Sequence, residues 1–438
     1  MSSIVSTEPL IALEVDRVVG QLIGEAAGPT LVCTASLHGN EPAGLRALQK
    51  VFARLEAERP PMRGEVIGLV GNLSAVSRGD RFVDSDLNRH WSPAKVAALR
   101  ARRADALEDA EDLEAGQLLE EIDSAAGRAR GAIYCLDLHT TSGESPPFAT
   151  AMDTLRNRRF ALRFPVPHVL GLEEHLDHTL LNHLDGEGYI TLGFEGGQHE
   201  DPRSVDHCEA AIWLALAETG ILIEPGLPAV AEARQRLAAA TEGLPQAVEV
   251  RYRHGLRDGD GFQMLPGFVS FQRISEGDLL AKDDRGELRA PEGGGVLMPL
   301  YQRQGDDGFF VIRKFSAFWL TVSSVLRHLR VDALLPLLPG VHPDRDCPGT
   351  LRIDRHVARF YALQIFHLAG YRKKRIEGNQ LVVTTSTLGH IGMTMASTTI
   401  SQPRMTRSRC ANAIRPRKTI VIMVNGFMPP ALSRPGPS

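Results

Sequence analysis

The sequence predicts an α/β protein in which a mixed central sheet is flanked by helices and followed by a small all-β module. Up to about residue 220, apolar runs alternate with amphipathic helical patterns, as in sheets that helices cover on both faces. Beyond residue 245, short apolar runs are separated by Gly, Asp and Pro turns, which indicates a compact group of strands. A helical and then disordered C-terminal extension completes the predicted architecture.

Each predicted element of the first part rests on its own periodicity. Short apolar runs between turn residues predict buried strands, whereas apolar positions three and four residues apart predict helices. Pro42 favours a helix that begins at its own position. The predicted strands are residues 10–19, 30–36, 65–70, 133–138 and 189–194. The predicted helices are residues 42–55, 94–122 and 206–218.

The chain divides into four predicted domains or segments. Residues 1–222 form the α/β domain, and a connection that contains Pro and Ala leads to the β module at 246–315. Residues 316–383 are predicted to be a helical extension. Residues 384–438 are predicted to be a basic, disordered tail, because polar residues and Pro recur there without a period. The predicted strands of the module are residues 248–253, 267–273, 278–281, 295–300 and 308–313.

Composition limits the class of protein and its partners. The chain has 438 residues, of which 43% are hydrophobic and 23% charged, as expected for a soluble globular protein of roughly two or three domains. The formal net charge of -4 conceals a basic stretch after residue 371, so the part in front of it is acidic. Nucleic acid is therefore not an expected partner.

The expected location follows from the cysteines and the apolar segments. Five cysteines without a CxxC pair indicate a reducing compartment. The first residues lack the pattern of a secretory signal, and the apolar stretch 315–326 is too short to span a bilayer. We therefore expect a cytoplasmic protein with no membrane partner. No pattern in the sequence indicates an oligomeric state.

The strongest functional pattern is a His and a Glu three positions apart. His38 and Glu41 follow the apolar run 31–35, at the carboxyl end of a predicted strand, where open α/β sheets bind their ligands. Imidazole and carboxylate together suit Zn²⁺, and a catalytic zinc needs a third protein ligand plus an open position. His139 ends a second apolar run and is the predicted third ligand. The sequence thus predicts one zinc ion per chain.

Neighbouring residues support this interpretation of the two histidines. Asp137 precedes His139 by two positions, on the same side of a strand, where a carboxylate orients a metal-bound imidazole. The dipeptide Gly39-Asn40 permits the tight turn that the His-Glu pair requires. The alternatives are an ordinary strand-end histidine at position 139 and a surface pair on a helix at positions 38 and 41.

A polar segment over residues 81–89 is the second candidate for the site. A planar guanidinium, such as that of Arg89, binds a carboxylate bidentately, and the Asn88 amide can add a directed hydrogen bond. A second guanidinium beside a metal, that of Arg81, can polarise a scissile carbonyl and stabilise the oxyanion that forms. The alternative is a solvated loop.

Glu195 is the third candidate because it ends an apolar strand and is followed by two glycines. Burial would raise the pKa of this carboxyl, which suits a general base or acid that acts on a zinc-activated water. The alternative is a Glu near the N-terminus of the following helix. His199 and His207 are interpreted as surface or capping residues.

Taken in chain order, these motifs resemble the succinylglutamate desuccinylase/aspartoacylase family over about residues 10–315. Members of that family are zinc-dependent amide hydrolases that share the metallocarboxypeptidase fold and carry a β module after the catalytic domain. The resemblance implies that residues 1–222 are the catalytic domain. It also implies roles for four residues: the zinc ligands His38, Glu41 and His139, and the catalytic carboxylate Glu195.

The resemblance also implies how a substrate is held. Arg81 corresponds to the arginine that polarises the carbonyl, and Asn88 with Arg89 to the pair that binds a substrate carboxylate. Asp86 is inferred to orient a zinc histidine. The implied substrate is a small carboxylated N-acyl amino acid. A tyrosine or arginine from later loops completes the family's site, for which the candidates here are Tyr252 and Tyr301.

Two other functions remain open on the sequence. A zinc carboxypeptidase that cleaves the last residue of a peptide would use the same ligands, although the β module disfavours it because the family uses that module to restrict access. A non-catalytic binding protein on the same fold is the other alternative. The intact set of ligands, both arginines and Glu195 disfavour the binding protein.

Overall fold

A mixed eleven-stranded sheet runs through the centre of the protein in this computed structural model. The structure describes residues 15–103, 107–224, 226–257, 259–344, 349–354, 368–377 and 380–385. The strands up to residue 255 are β1 (Val18–Ile23), β2 (Ala26–Ala35), β3 (Arg63–Val70), β4 (Ile133–Thr141), β5 (Phe148–Thr150), β6 (His168–Leu170), β7 (Ile190–Gln198) and β8 (Ala247–Gly255). The helices up to residue 240 are α1 (Pro42–Glu58), α2 (Leu73–Arg78), α3 (Pro93–Arg100), α4 (Ala110–Arg128), α5 (Leu155–Ala161), α6 (Leu180–Gly186), α7 (Pro202–Glu218) and α8 (Pro228–Ala240).

The later strands extend this sheet and add smaller ones. They are β9 (Gln263–Met264), β10 (Arg273–Ile274), β11 (Leu279–Asp283), β12 (Gly286–Arg289), β13 (Gly294–Leu297) and β14 (Asp307–Lys314). The order in the main sheet is β1-β3-β2-β4-β7-β5-β6-β8-β14-β13-β10, and β12-β11-β9 form a separate sheet. The β module is therefore continuous with the central sheet, because β14 pairs antiparallel with β8.

Helices cover both faces of the central strands, which explains why these strands are continuous apolar runs. In β2, Leu31 and Cys33 pack into one core cluster together with Trp213 of α7. The intervening Val32 packs into a second cluster on the other face, together with Leu118 of α4. The predicted α/β class, with a mixed central sheet flanked by helices, is confirmed.

Several predicted boundaries are wrong for identifiable reasons. The helix predicted over residues 94–122 is two helices, because Arg102 has a left-handed conformation (φ 50°) and Asp109 caps α4 with a capping box. The strand predicted over residues 10–19 begins at Val18, and residues 10–14 lie outside the described residues. Much of residues 267–273 is a turn, since Phe271 has a φ of 68°.

The helical extension predicted over residues 316–383 is only partly helical. Helix α9 (Ala317–His328) is followed by a 3-10 segment and by four antiparallel strands, β15 (Val341–Pro343), β16 (Thr350–Asp354), β17 (Tyr371–Glu377) and β18 (Gln380–Thr385). The prediction of helix is wrong there because alternate residues such as Leu351 and Ile353 face a core of their own. The predicted tail beyond residue 385 lies outside the described residues. Within the described ranges, no helix has the length and apolar character needed to cross a membrane.

A buried ion network attaches α9 to the α/β domain. Asp153 is fully buried, and its carboxylate accepts hydrogen bonds from Arg158 Nη2 at 2.9 Å and from Arg327 Nη2 at 2.8 Å. Arg327 Nη1 also donates to the Asp153 carbonyl at 2.6 Å. One carboxylate thus partners two buried guanidinium groups from distant parts of the chain.

Asp153→Ala is expected to lower the free energy of unfolding by about 3–5 kcal/mol, because it removes the buried carboxylate that accepts hydrogen bonds from both guanidinium groups. Chemical denaturation followed by circular dichroism measures this change. The control is Asp206→Ala, which removes an exposed carboxylate 3.2 Å from Lys50 Nζ and is expected to cost less than about 1 kcal/mol. Equal losses in the two variants would contradict the role of Asp153.

Candidate active site

The first predicted motif forms a tight turn directly after β2. Ser36 has a left-handed conformation (φ 53°), and its hydroxyl donates to the Glu41 carbonyl at 3.0 Å. The Glu41 N–H donates to the His38 carbonyl at 3.1 Å. This turn brings His38 Nδ1 to 2.8 Å from Glu41 Oε1, and both side chains are buried.

Gly39 allows the turn to approach the backbone of Ala75 closely. The residue of the turn with a left-handed conformation is Ser36. A Cβ at position 39 would lie 2.1 Å from the carbonyl carbon of Ala75. The Gly39 N–H donates to the Arg81 carbonyl at 3.1 Å, so the turn and the segment over residues 81–89 are bonded to each other. The close contact with the backbone of Ala75 therefore requires a glycine at position 39.

His139 lies in β4, which is the next strand to β2 in the sheet. Its Nε2 is 2.8 Å from Asp137 Oδ2, and Asp137 Oδ1 accepts a hydrogen bond from the Thr34 hydroxyl at 2.7 Å. His139 Nδ1 is 3.1 Å from Glu41 Oε2. Although burial opposes its charged form, the carboxylates of Asp137 and Glu41 hold the pKa of His139 well above its usual range.

The three predicted ligands form a set that fits a divalent cation. One ligand atom from each of His38, Glu41 and His139 lies within 4.8 Å of the others. Each imidazole presents Nδ1 to Glu41, and each Nε2 contacts another carboxylate, that of Asp86 at 3.1 Å or of Asp137 at 2.8 Å. A carboxylate behind each imidazole is typical of zinc sites, since it orients the ring and fixes its tautomer. The donors present therefore fit zinc.

Arg81 lies beside this cluster. Its Nη2 donates to Asp86 Oδ2 at 3.1 Å, and its Nη1 is 3.5 Å from Glu41 Oε1. Burial alone would raise the pKa of Asp86, but His38 and Arg81 hold it well below its usual range. The Asp86 carboxylate therefore joins the guanidinium to one imidazole of the cluster.

A buried carboxylate, Glu111 of α4, fixes the loop that carries these residues. The backbone N–H groups of Val83, Asp84 and Ser85 donate to it at 2.7, 3.0 and 3.1 Å. The Asn72 side-chain amide donates to the same carboxylate at 3.1 Å. A charged acceptor that satisfies three successive backbone donors holds the loop in one conformation.

Asn88 and Arg89 line the same pocket as the two histidines. The Asn88 amide oxygen accepts a hydrogen bond from the backbone N–H of Leu180 at 2.9 Å, which leaves its amide nitrogen as a donor. Arg89 Nε is 3.2 Å from Asp306 Oδ2, so a residue of the β module partners this guanidinium.

Glu195 lines the pocket from β7, where it is opposite His139 in the register with β4. Its Oε2 is buried and has no hydrogen-bond partner among the described residues. Burial raises the pKa of Glu195 to about 8. The Glu41 carboxylate also raises this pKa, whereas His139 lowers it. A buried carboxyl with a pKa near neutrality can both accept and donate a proton under physiological conditions.

The interpretation of His199 as a surface or capping residue is wrong. His199 lines the pocket, with Nδ1 2.7 Å from the Thr140 hydroxyl and Nε2 3.2 Å from Gln302 Oε1. Burial lowers its pKa, which favours the neutral imidazole. Its position directly after β7 is a signal that could have placed it at this edge of the sheet.

The two tyrosine candidates do not line this pocket. The Tyr252 hydroxyl lies 3.2 Å from His254 Nδ1 inside the β module, and the Tyr301 hydroxyl donates to the Leu265 carbonyl at 2.8 Å. The module instead contributes Gln302 and Asp306, which no motif in the sequence distinguishes.

A second group of potential ligands, His90, Asp109 and Asp112, also lies within 4.8 Å. Here, however, Lys95 Nζ is 2.6 Å from Asp112 Oδ2. An ammonium group at that distance already balances the carboxylate charge. We therefore interpret this cluster as part of the support for the loop over residues 81–89.

Comparisons with known proteins agree with the geometry. Residues 27–177 match the family model described as the succinylglutamate desuccinylase/aspartoacylase catalytic domain. A succinylglutamate desuccinylase from Burkholderia pseudomallei (strain 1710b) is 35% identical over 114 residues, which cover 25% of this chain and 30% of that protein. Another, from Shewanella pealeana, is 27% identical over 178 residues, which cover 40% of this chain and 49% of that protein. The chain thus spans half or less of the length of these relatives.

The fold is shared over a longer part of the chain. A crystal structure of a succinylglutamate desuccinylase/aspartoacylase from Rhodobacter sphaeroides covers 68% of this chain and 88% of its own, with 20% identity and a TM-score of 0.51. The α/β architecture is therefore that of a known class of solved structures. Over residues 27–177 the chain matches the catalytic domain of the succinylglutamate desuccinylase/aspartoacylase family, and the resemblance predicted from the motifs is confirmed to that extent.

Proposed function

We propose that this protein is a zinc-dependent amide hydrolase that removes the acyl group from a small, carboxylated N-acyl amino acid. One observation carries the proposal: His38 and His139 of the three-donor set line the same pocket as Glu195, whose Oε2 has no hydrogen-bond partner among the described residues. The relatives that match parts of the chain are named succinylglutamate desuccinylases, which supports deacylation as the reaction.

His38, Glu41 and His139 would hold the metal. A zinc ion bound there supplies Lewis acidity, which activates a water molecule and polarises the scissile carbonyl. Glu195 accepts a proton from the attacking water and passes it to the amine nitrogen as the carbon–nitrogen bond breaks. Arg81 donates to the oxygen that becomes negative, a contribution of roughly 3–4 kcal/mol for a well-placed donor.

Arg89 and Asn88 are proposed to bind the substrate carboxylate, since both line the pocket and both retain donors. Leu300, Gln302 and Asp306 line it from the β module at 246–315. We propose that the module narrows the entrance to the catalytic domain at 1–222. Long peptides are then poor substrates, which disfavours a carboxypeptidase.

The test is amine release by the purified, zinc-loaded protein. A panel of N-acetyl and N-succinyl amino acids is assayed beside peptides with free C-termini, and deacylation of the small substrates is the expected result. Cleavage of the peptides alone would identify a carboxypeptidase. If neither class of substrate is cleaved and the zinc stoichiometry is near zero, the protein is a non-catalytic binding protein.

Asp137→Asn is expected to weaken zinc affinity by about 10- to 100-fold, because the amide no longer orients His139 as a carboxylate does. Competition with a chelator of known affinity measures the change. The control is Asp185→Asn, which alters a buried carboxylate held by Arg156 Nη2 at 2.9 Å outside the pocket. Unchanged affinity in Asp137→Asn would contradict the proposed orientation of the imidazole.

A further inference from the structure

One wall of the pocket contains a buried carboxyl group that the proposed mechanism does not use. Glu173 begins a 3-10 turn, lines the pocket and is only 5% exposed. The Thr150 hydroxyl donates to its Oε1 at 2.9 Å, and the Thr179 hydroxyl lies 3.4 Å from its Oε2. In the described part of the chain, no arginine or lysine forms an ion pair with Glu173. Burying a carboxyl group without a cationic partner is costly, so Glu173 is a candidate to bind a cationic group of a ligand.

The space beside this carboxyl depends on Gly193, which also lines the pocket. A Cβ at position 193 would lie 2.5 Å from Thr150 Oγ1 and 3.7 Å from Glu173 Oε1. Leu172, Leu176 and Leu181 form the apolar surroundings. The result is a subsite in which aliphatic walls flank the Glu173 carboxyl, which matches a short aliphatic chain that ends in a hydrogen-bond donor.

The charges of the whole pocket point to the same ligand. Among the described residues that line it, the guanidinium groups are those of Arg81 and Arg89. Arg81 is bonded to Asp86, and Arg89 is paired with Asp306. One substrate carboxylate can share Arg89, but a second carboxylate would find no free cation and would face Glu173.

We infer that Glu173 is a specificity-determining residue that binds an ammonium group of the substrate. The preferred substrates are therefore N-acylated diamino acids, and acyl amino acids with a second or third carboxylate are disfavoured. This inference rests on the proposed deacylase function and narrows its substrate class.

The test compares three substrates that differ at one end only: Nα-acetylornithine, its neutral analogue Nα-acetylnorvaline and the acidic Nα-acetylglutamate. The expected kcat/KM for the ammonium substrate exceeds that for the neutral one by about 10- to 100-fold, the size of a charge-assisted hydrogen bond. Nα-acetylglutamate is expected to be the poorest. A preference for Nα-acetylglutamate or for N-succinylglutamate would overturn the inference and leave the deacylase function intact.

Glu173→Gln tests the residue itself, since glutamine keeps the shape and can still accept from Thr150. It is expected to remove the preference for Nα-acetylornithine over Nα-acetylnorvaline, chiefly through a higher KM for Nα-acetylornithine. The control is Glu174→Gln, which changes the adjacent buried carboxyl, whose Oε1 accepts from the Asp153 N–H at 3.0 Å. Equal losses on all three substrates would assign Glu173 a structural role and overturn the inference.

Binding measurements separate this inference from the deacylase function. Calorimetry of the zinc-loaded protein with the products ornithine and norvaline needs no turnover. Tighter binding of ornithine by wild-type protein, lost in Glu173→Gln, supports the ammonium subsite even if no amide is cleaved. Equal binding of the two amino acids would overturn the subsite, whatever the enzyme hydrolyses.

Discussion

Glu195→Gln is expected to lower kcat by about 10²- to 10⁴-fold, while the protein retains one zinc ion per chain. The amide of glutamine cannot accept the proton of the attacking water or return it to the leaving amine. Glu195 is outside the three-donor set, so its replacement leaves His38, Glu41 and His139 in place. The rate of amine release from an N-acyl amino acid and the metal content of the same preparation measure the two effects.

A matched control for this variant is Glu65→Gln. Glu65 is also a buried carboxylate on a strand of the main sheet, but it is bonded to Arg128 Nη2 at 2.6 Å and does not line the pocket. Its replacement is expected to cost stability and to leave kcat within about 3-fold. Full activity of Glu195→Gln would remove Glu195 from the mechanism.

The strands that carry the candidate site could be predicted from the sequence, because burial on both faces makes them apolar runs. His38 and Glu41 follow β2, His139 lies near the end of β4 and Glu195 lies in β7, and these three strands are neighbours in the sheet. His139 and Glu195 are even opposite each other in the register. Chain order and strand character therefore indicated that these side chains lie at one edge, although their roles remain predictions.

The positions of the residues in the loop over 81–89 were harder to predict, because contacts with distant parts of the chain fix the conformation of this loop. The position of Arg81 depends on a backbone bond to Gly39 and on the buried carboxylate of Glu111. Neither contact follows from local sequence. Glu173 and Asp306 have no motif at all, and they reach the pocket through short elements and module loops that the apolar pattern does not reveal.

The sequence predicts the wrong secondary structure for part of the C-terminal region. The helical extension predicted over residues 316–383 includes residues 341–383, where the described residues form short strands instead. Leu351 and Val383 lie in strands of five and six residues, which are too short for the period of two to outweigh the preceding helical pattern. The strands β15 to β18 pair with one another, so contacts between separate segments stabilise them. The sequence of any one segment does not reveal those contacts.

His38→Ala is expected to lose both the zinc ion and the activity, in contrast to Glu195→Gln. Removal of one donor leaves Glu41 and His139 as the remaining protein ligands, and affinity should fall by more than the roughly 100-fold that loss of an orienting partner costs. The variant should then show only the activity of the metal-free protein. Zinc content after dialysis and amine release from the same sample measure the outcome.

The control for this variant is His90→Ala, which alters the other group of potential ligands. His90 Nδ1 lies 2.8 Å from Asp112 Oδ1, but Lys95 already pairs with that carboxylate. Because an ammonium group balances the charge there, His90→Ala is expected to keep one zinc ion per chain even if the loss of loop support slows turnover. If His90→Ala instead released the metal and His38→Ala retained it, the zinc would belong to the second cluster, and the mechanism built around Glu195 would be wrong.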